Sequence, residues 1–94
     1  MNVILRRSAL DDLDRIYAWI SKDNPRAAAD MVVRIRDRIS FLEIDALAHM
    51  GRPGLVVDTR ELIEKPYIIV YRVDNQRREV VVLAILHAAQ GRNP

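Results

Sequence analysis

Residues 67–87 constrain the fold more tightly than any other stretch. They read Tyr67-Ile68-Ile69-Val70-Tyr71-Arg72-Val73, a polar Asp74-Asn75-Gln76-Arg77 break, then Arg78-Glu79-Val80-Val81-Val82-Leu83-Ala84-Ile85-Leu86-His87. Two β-branched, aromatic-rich runs around a short polar break predict a β-hairpin. Taking Asn75-Gln76 as the loop sets Arg72 opposite Glu79, Val70 opposite Val81 and Ile68 opposite Leu83. Side chains alternate between faces along a strand. Ile68, Val70, Val81, Leu83 and Ile85 therefore share a face with Arg72 and His87, and Tyr67, Ile69, Tyr71, Val80, Val82, Ala84 and Leu86 take the other. Both faces are apolar, which predicts a mid-sheet pair with helices covering one side.

The rest of the chain supplies those helices. Asn2 to Arg6 reads as an edge strand. Ser8 followed by Asp11 is a capping-box pattern, with acidic residues expected in the first helical turn. Leu10, Leu13, Ile16, Tyr17 and Ile20 make one apolar stripe, predicting a helix from about Ala9 to Lys22 with Trp19 at the margin of its buried face. Asn24 before Pro25 is an N-cap before a proline at the first helical position, and Asn24→Ala should cost about 1 kcal/mol. The second helix turns Ala28, Met31, Val32, Ile35, Ile39 and Leu42 inward and keeps Arg26, Arg34, Arg36 and Arg38 off that face, with Asp30 and Arg34 at the favourable i,i+4 spacing.

His49, Gly51, Pro53 and Gly54 break regular structure between Leu47 and Asp58. Thr59 to Ile63 reads as a strand, with Glu64-Lys65-Pro66 turning into the hairpin. The expected fold is α+β in the order β-α-α-β-β-β: a helical hairpin on one face of a mainly antiparallel four-stranded sheet. It forms a single domain over residues 1–94, and no helix is expected after His87.

Composition narrows the function. The chain has no cysteine, so disulfides and thiolate metal sites are excluded. Its two histidines, His49 and His87, lie far apart without ligand spacing; no metal or other cofactor is expected. No run approaches the ~20 apolar residues of a membrane span and no signal-peptide core follows Met1, so the cytoplasm is expected. Residues 1–50 carry eight basic and eight acidic groups and residues 51–94 seven and five, so the net +2 lies in the second half. Thirteen of the fifteen basic residues are arginine, whose fork suits carboxylates and phosphates. A surplus of +2 is too small to imply a nucleic-acid partner.

Asn24-Pro25, Gly51-Arg52-Pro53-Gly54, Thr59-Arg60-Glu61-Leu62, Pro66-Tyr67-Ile68-Ile69-Val70-Tyr71-Arg72-Val73 and Leu86-His87-Ala88-Ala89-Gln90, in this element order, resemble the RelE/ParE toxins of bacterial type II toxin–antitoxin systems over nearly the whole chain. The long helical hairpin and the Leu86-His87 ending are similar to the ParE branch, whose members inhibit DNA gyrase. The resemblance implies an inhibitor without catalysis of its own, a cognate antitoxin as partner, gyrase as target, and no sequence-specific DNA binding by the toxin alone. RelE-branch members instead cut mRNA on the ribosome. The chain departs from them in having two lysines, Lys22 and Lys65, and no tyrosine after Tyr71. A degenerate member that binds its antitoxin without toxicity is a third implied alternative.

Each candidate residue carries two readings. In a nuclease, His87 is the general acid or base while Arg60 and Arg72 stabilise charge at a scissile phosphate, on RNA because the 2′-hydroxyl is the available nucleophile. Otherwise His87 bonds backbone at a strand end and Arg72 pairs with Glu79 across the hairpin. Trp19 is a partner anchor or a rim of its own core. Arg34, Arg38 and Arg92 join Trp19, Arg60, Arg72 and His87 as candidate antitoxin or target contacts; solvated arginines are the alternative.

Overall fold

A computed structural model describes residues 1–91. Its elements run β1 (Asn2–Leu5), α1 (Arg7–Ser21), α2 (Pro25–Ser40), two 3-10 turns over 41–43 and 45–47, β2 (Arg52–Pro53), β3 (Arg60–Glu64), β4 (Tyr67–Asp74), β5 (Glu79–His87) and α3 (Ala88–Gly91). The sheet order is β1-β5-β4-β3-β2. It has five strands where four were expected, and it is mixed: β1 runs parallel to β5 while the other pairs are antiparallel. The added strand is the two-residue β2, which places Arg52 opposite Glu61. Its guanidinium lies 3.1 Å from that buried carboxylate, so one charge pair accompanies the pairing.

The helical hairpin covers one face, as expected. Asn24 caps α2 by accepting from Ala27 N–H at 3.1 Å, with Pro25 at the first helical position. Leu13 and Ile16 from α1 and Ile35 and Ile39 from α2 meet Tyr67, Ile69, Tyr71, Val80 and Val82 in the core. At about 25 cal/mol per Å² of apolar area, this burial is the main force holding the layers together.

The hairpin register differs from the expectation twice. The loop holds four residues, Asn75 to Arg78: Asp74 accepts from Arg77 N–H at 3.0 Å and Arg78 takes φ 53°. Asp74 therefore faces Glu79, and Arg72 faces Val81. Further along, a β-bulge intervenes, because Tyr71 pairs with Val82 but Val70 with Ala84, leaving Leu83 as the extra residue. A bulge reverses the alternation beyond it. Ile85 accordingly joins the core on the helix side, and His87 follows it to lie opposite Tyr67.

Helix α1 supports the bulge. Ser8 does not cap its helix; the N-cap position is Arg6 without a side-chain bond, and no acidic residue occupies the first turn. Instead, Ser8 Oγ donates to Leu83 C=O at 2.6 Å, and Asp12 Oδ2 accepts from Ile85 N–H at 2.9 Å. Residues four apart on a helix share a face, so one face of α1 satisfies the two backbone groups beside the bulge. The chain also continues past β5 into the single turn α3, where no helix was expected.

Candidate functional site

The open end of the sheet holds a cleft of about 670 Å³ between the β2–β3 connection and the β4–β5 loop. Arg60, Arg72, His49, Asp58, Asp74 and Asn75 are among its lining residues. Arg60 opens β3 opposite Tyr71, and its guanidinium donates to the carbonyls of His49 at 3.1 Å and Gly51 at 2.8 Å. Gly51 is held from below as well, its N–H donating to the buried Tyr71 hydroxyl at 2.9 Å. A Cβ on Gly51 would lie 2.7 Å from that hydroxyl and 2.8 Å from the Glu61 carbonyl. Burial pushes the Tyr71 phenol above its ordinary pKa of 10, against weaker opposing effects of Gly51 and Arg60.

Arg72 is different. It is exposed on β4 and faces Val81 rather than Glu79. The expected cross-strand pair does not form, and Arg72 has no ion-pair partner among the described residues.

The structure brings Arg60 and Arg72 to one cleft but leaves His87 out of it. His87 stacks edge-on against Tyr67, ring centroids 5.4 Å apart, and its Nδ1 accepts from Ala89 N–H at 3.2 Å. Tyr67 precedes Arg72 by five strand residues, so the two positions stand about 17 Å apart at ~3.4 Å per residue. The histidine beside the arginines is His49, which only the fold joins to them.

Arg34 and Arg38 are engaged within the chain. Arg34 lies 2.8 Å from Glu64 at the end of β3, in place of the expected Asp30 contact. Arg38 stands 3.6 Å from the same carboxylate and donates to Ile63 C=O at 3.2 Å. Trp19 projects from α1 at 69% exposure rather than bordering the core, with the Lys22 ammonium 5.3 Å from its ring centroid. Arg92 lies outside the described residues. No group of three or more His, Asp or Glu among the described residues is placed to hold a metal, and no helix there is long and apolar enough to cross a membrane.

A second feature at this end was not foreseen. Leu55, Val56 and Val57 form the tip between β2 and β3, exposed at 72%, 68% and 84%. The tip is braced: Gly54 N–H donates to Thr59 C=O at 2.8 Å, while Thr59 N–H and Oγ donate to Val56 C=O at 3.1 and 2.6 Å.

This arrangement of helical hairpin and sheet is that of the RelE/ParE toxin superfamily. Solved structures of the same fold include the chromosomal ParDE toxin–antitoxin system of P. aeruginosa, with a TM-score of 0.80 and 30% identity over 93% of this chain and 95% of that one. The YoeB/ParE toxin of Agrobacterium tumefaciens matches with a TM-score of 0.58 and 26% identity over 93% and 98%. The sequence profile described as "ParE toxin of type II toxin-antitoxin system, parDE" matches residues 3–91. The chain belongs to that ParE toxin family. A relative from Sinorhizobium fredii named as a candidate toxin, Y4kP, is 46% identical over 87% of this chain and 82% of its own length.

Proposed function

We propose that the chain arrests bacterial growth by binding a host enzyme in the cytoplasm, DNA gyrase, and that a cognate antitoxin holds it inactive. The observation that carries this reading is the ParE family match over residues 3–91. The site geometry weighs against RNA cleavage by His87 with Arg60 and Arg72. A general acid or base must come within ~3 Å of its proton, or one water away, and His87 lies beside Tyr67 at the far end of the strand from Arg72.

The antitoxin reading has its own physical support. β1 is an edge strand, and Val3, Leu5, Arg36 and Ile39 border a groove between it and α2. An extended arm added to that edge would pair its free backbone groups and bury the apolar side chains beside them.

Induction without antitoxin tests the target. Thymidine incorporation should fall before methionine incorporation, and His87→Ala should remain toxic. An early fall in protein synthesis, with toxicity lost in a folded His87→Ala variant, would establish the nuclease instead. The chain should also co-purify with the product of the adjacent reading frame.

A further inference from the structure

We propose that the Leu55-Val56-Val57 tip and the Arg72 guanidinium together form the target-facing surface, and that its occupant is a folded protein presenting an apolar socket flanked by a carboxylate. This rests on the reading that the chain arrests growth by binding a host protein; it adds which surface binds and what chemistry it recognises.

Single exposed apolar residues are ordinary, but contiguous ones mark interaction sites. Three successive aliphatic residues stand more than two-thirds exposed on this tip. The hydrogen bonds between Gly54, Val56 and Thr59 hold the tip in shape before any partner arrives, which reduces the ordering cost of association. Beside it, Arg72 lines the adjoining cleft without an ion-pair partner among the described residues. Arginine is enriched in binding hot spots, and its fork matches a carboxylate.

The same residues disfavour RNA as the occupant. Single-stranded nucleic acid binds through aromatic platforms and continuous positive charge, whereas the tip is aliphatic. Asp58 and Asp74 also line the cleft and would oppose a run of phosphates. A protein surface, with both signs of charge at fixed places, accommodates them.

The test compares growth arrest by the full chain, the triple variant Leu55→Ser/Val56→Ser/Val57→Ser, and Arg72→Glu at matched expression, with circular dichroism on each purified protein. Toxicity should fall about 100-fold for the triple variant and about tenfold for Arg72→Glu, with melting temperatures within about 4 °C of the parent. Val57→Asp serves if the triple variant does not fold. Its carboxylate is solvated in the free protein and desolvated in an apolar socket, so it should also cost about tenfold. A folded tip variant as toxic as the parent overturns the proposal and leaves the toxin reading standing. A parent chain that does not arrest growth removes both. Undiminished toxicity in the tip variants, lost in Arg72→Glu with cleavage of cellular mRNA, would put RNA in the cleft and overturn the proposal.

Discussion

The two ends of the β4–β5 hairpin use similar polar residues to opposite ends. At the end where β4 begins, Arg34 and Arg38 converge on Glu64, and His87 rests on Tyr67 and accepts from Ala89. Ser8 and Asp12 hold the bulge midway along the hairpin. At the loop end, Arg60 is held by two carbonyls, but Arg72 has no ion-pair partner among the described residues and three aliphatic side chains face water. An arginine with intramolecular partners must give them up to bind elsewhere, leaving desolvated groups unpaired. Functional candidates are therefore better sought at the loop end, whatever residue type the other end displays.

The largest effect on this contrast should come from Gly51, on which the open end is built. Gly51→Ala drives a methyl group against the Glu61 carbonyl and the buried Tyr71 ring. Backbone and core cannot both retreat, so stability should fall by about 3 kcal/mol. Urea unfolding measures it; a loss within error would mean that the Gly51–Tyr71–Arg60 arrangement is looser than the distances indicate.

Asp12→Ala should come next, and it probes the bulge midway between the two ends. Removing the carboxylate leaves the Ile85 N–H without its partner, at a cost of about 2 kcal/mol. Combining it with Ser8→Ala should give less than the sum, because both residues hold one bulge. Full additivity would show that the bulge persists without help from α1.

That bulge also marks where the sequence ceased to be legible. The helices, Asn24-Pro25 and the hairpin were readable because their signals are local: periodicity, a cap and β-branched runs. The bulge has no local signal. Leu83 and Ala84 differ little in character from their neighbours, and the groups that stabilise the break stand on Ser8 and Asp12, more than seventy residues earlier in the chain. Reading strict alternation through residue 83 put Ile85 and His87 on the wrong face, and with them the expected grouping of His87 with Arg72. β2 escaped for a similar reason. Two residues, one of them proline, show no periodicity, and Glu61, the partner of Arg52, stands nine residues away. Arg60 and Arg72 were grouped through the family resemblance alone, whereas His49 reaches them only through an irregular segment.

Alkali should separate the core from its surface more gently. Burial raises the phenols of both Tyr67 and Tyr71 above the ordinary 10. Above pH 10 the unfolded chain loses these protons while the folded chain keeps them, so the folded state binds more protons and stability falls with rising pH. The contribution is fully present below pH 10 and disappears as pH climbs through the raised values. Thermal midpoints should decline from about pH 10 upward, and absorbance titration should show two phenols ionising late in the folded protein. Ordinary titration of all three tyrosines would contradict the burial of Tyr67 and Tyr71.

The smallest expected stability effect discriminates most between the two ends. Arg72→Ala removes a side chain with no ion-pair partner among the described residues and should change stability by less than about 0.5 kcal/mol. Arg34→Ala removes a 2.8 Å contact to Glu64. That arginine is half exposed, so solvent screens the pair and its loss should cost up to about 1 kcal/mol. The two variants should rank oppositely in stability and in toxicity: Arg72→Ala folds like the parent and is less toxic, while Arg34→Ala folds less well and keeps its toxicity. Measuring both quantities on both variants makes the comparison internal, since expression and target abundance cancel. Equal ranking in the two assays would mean that the closed end also meets the target.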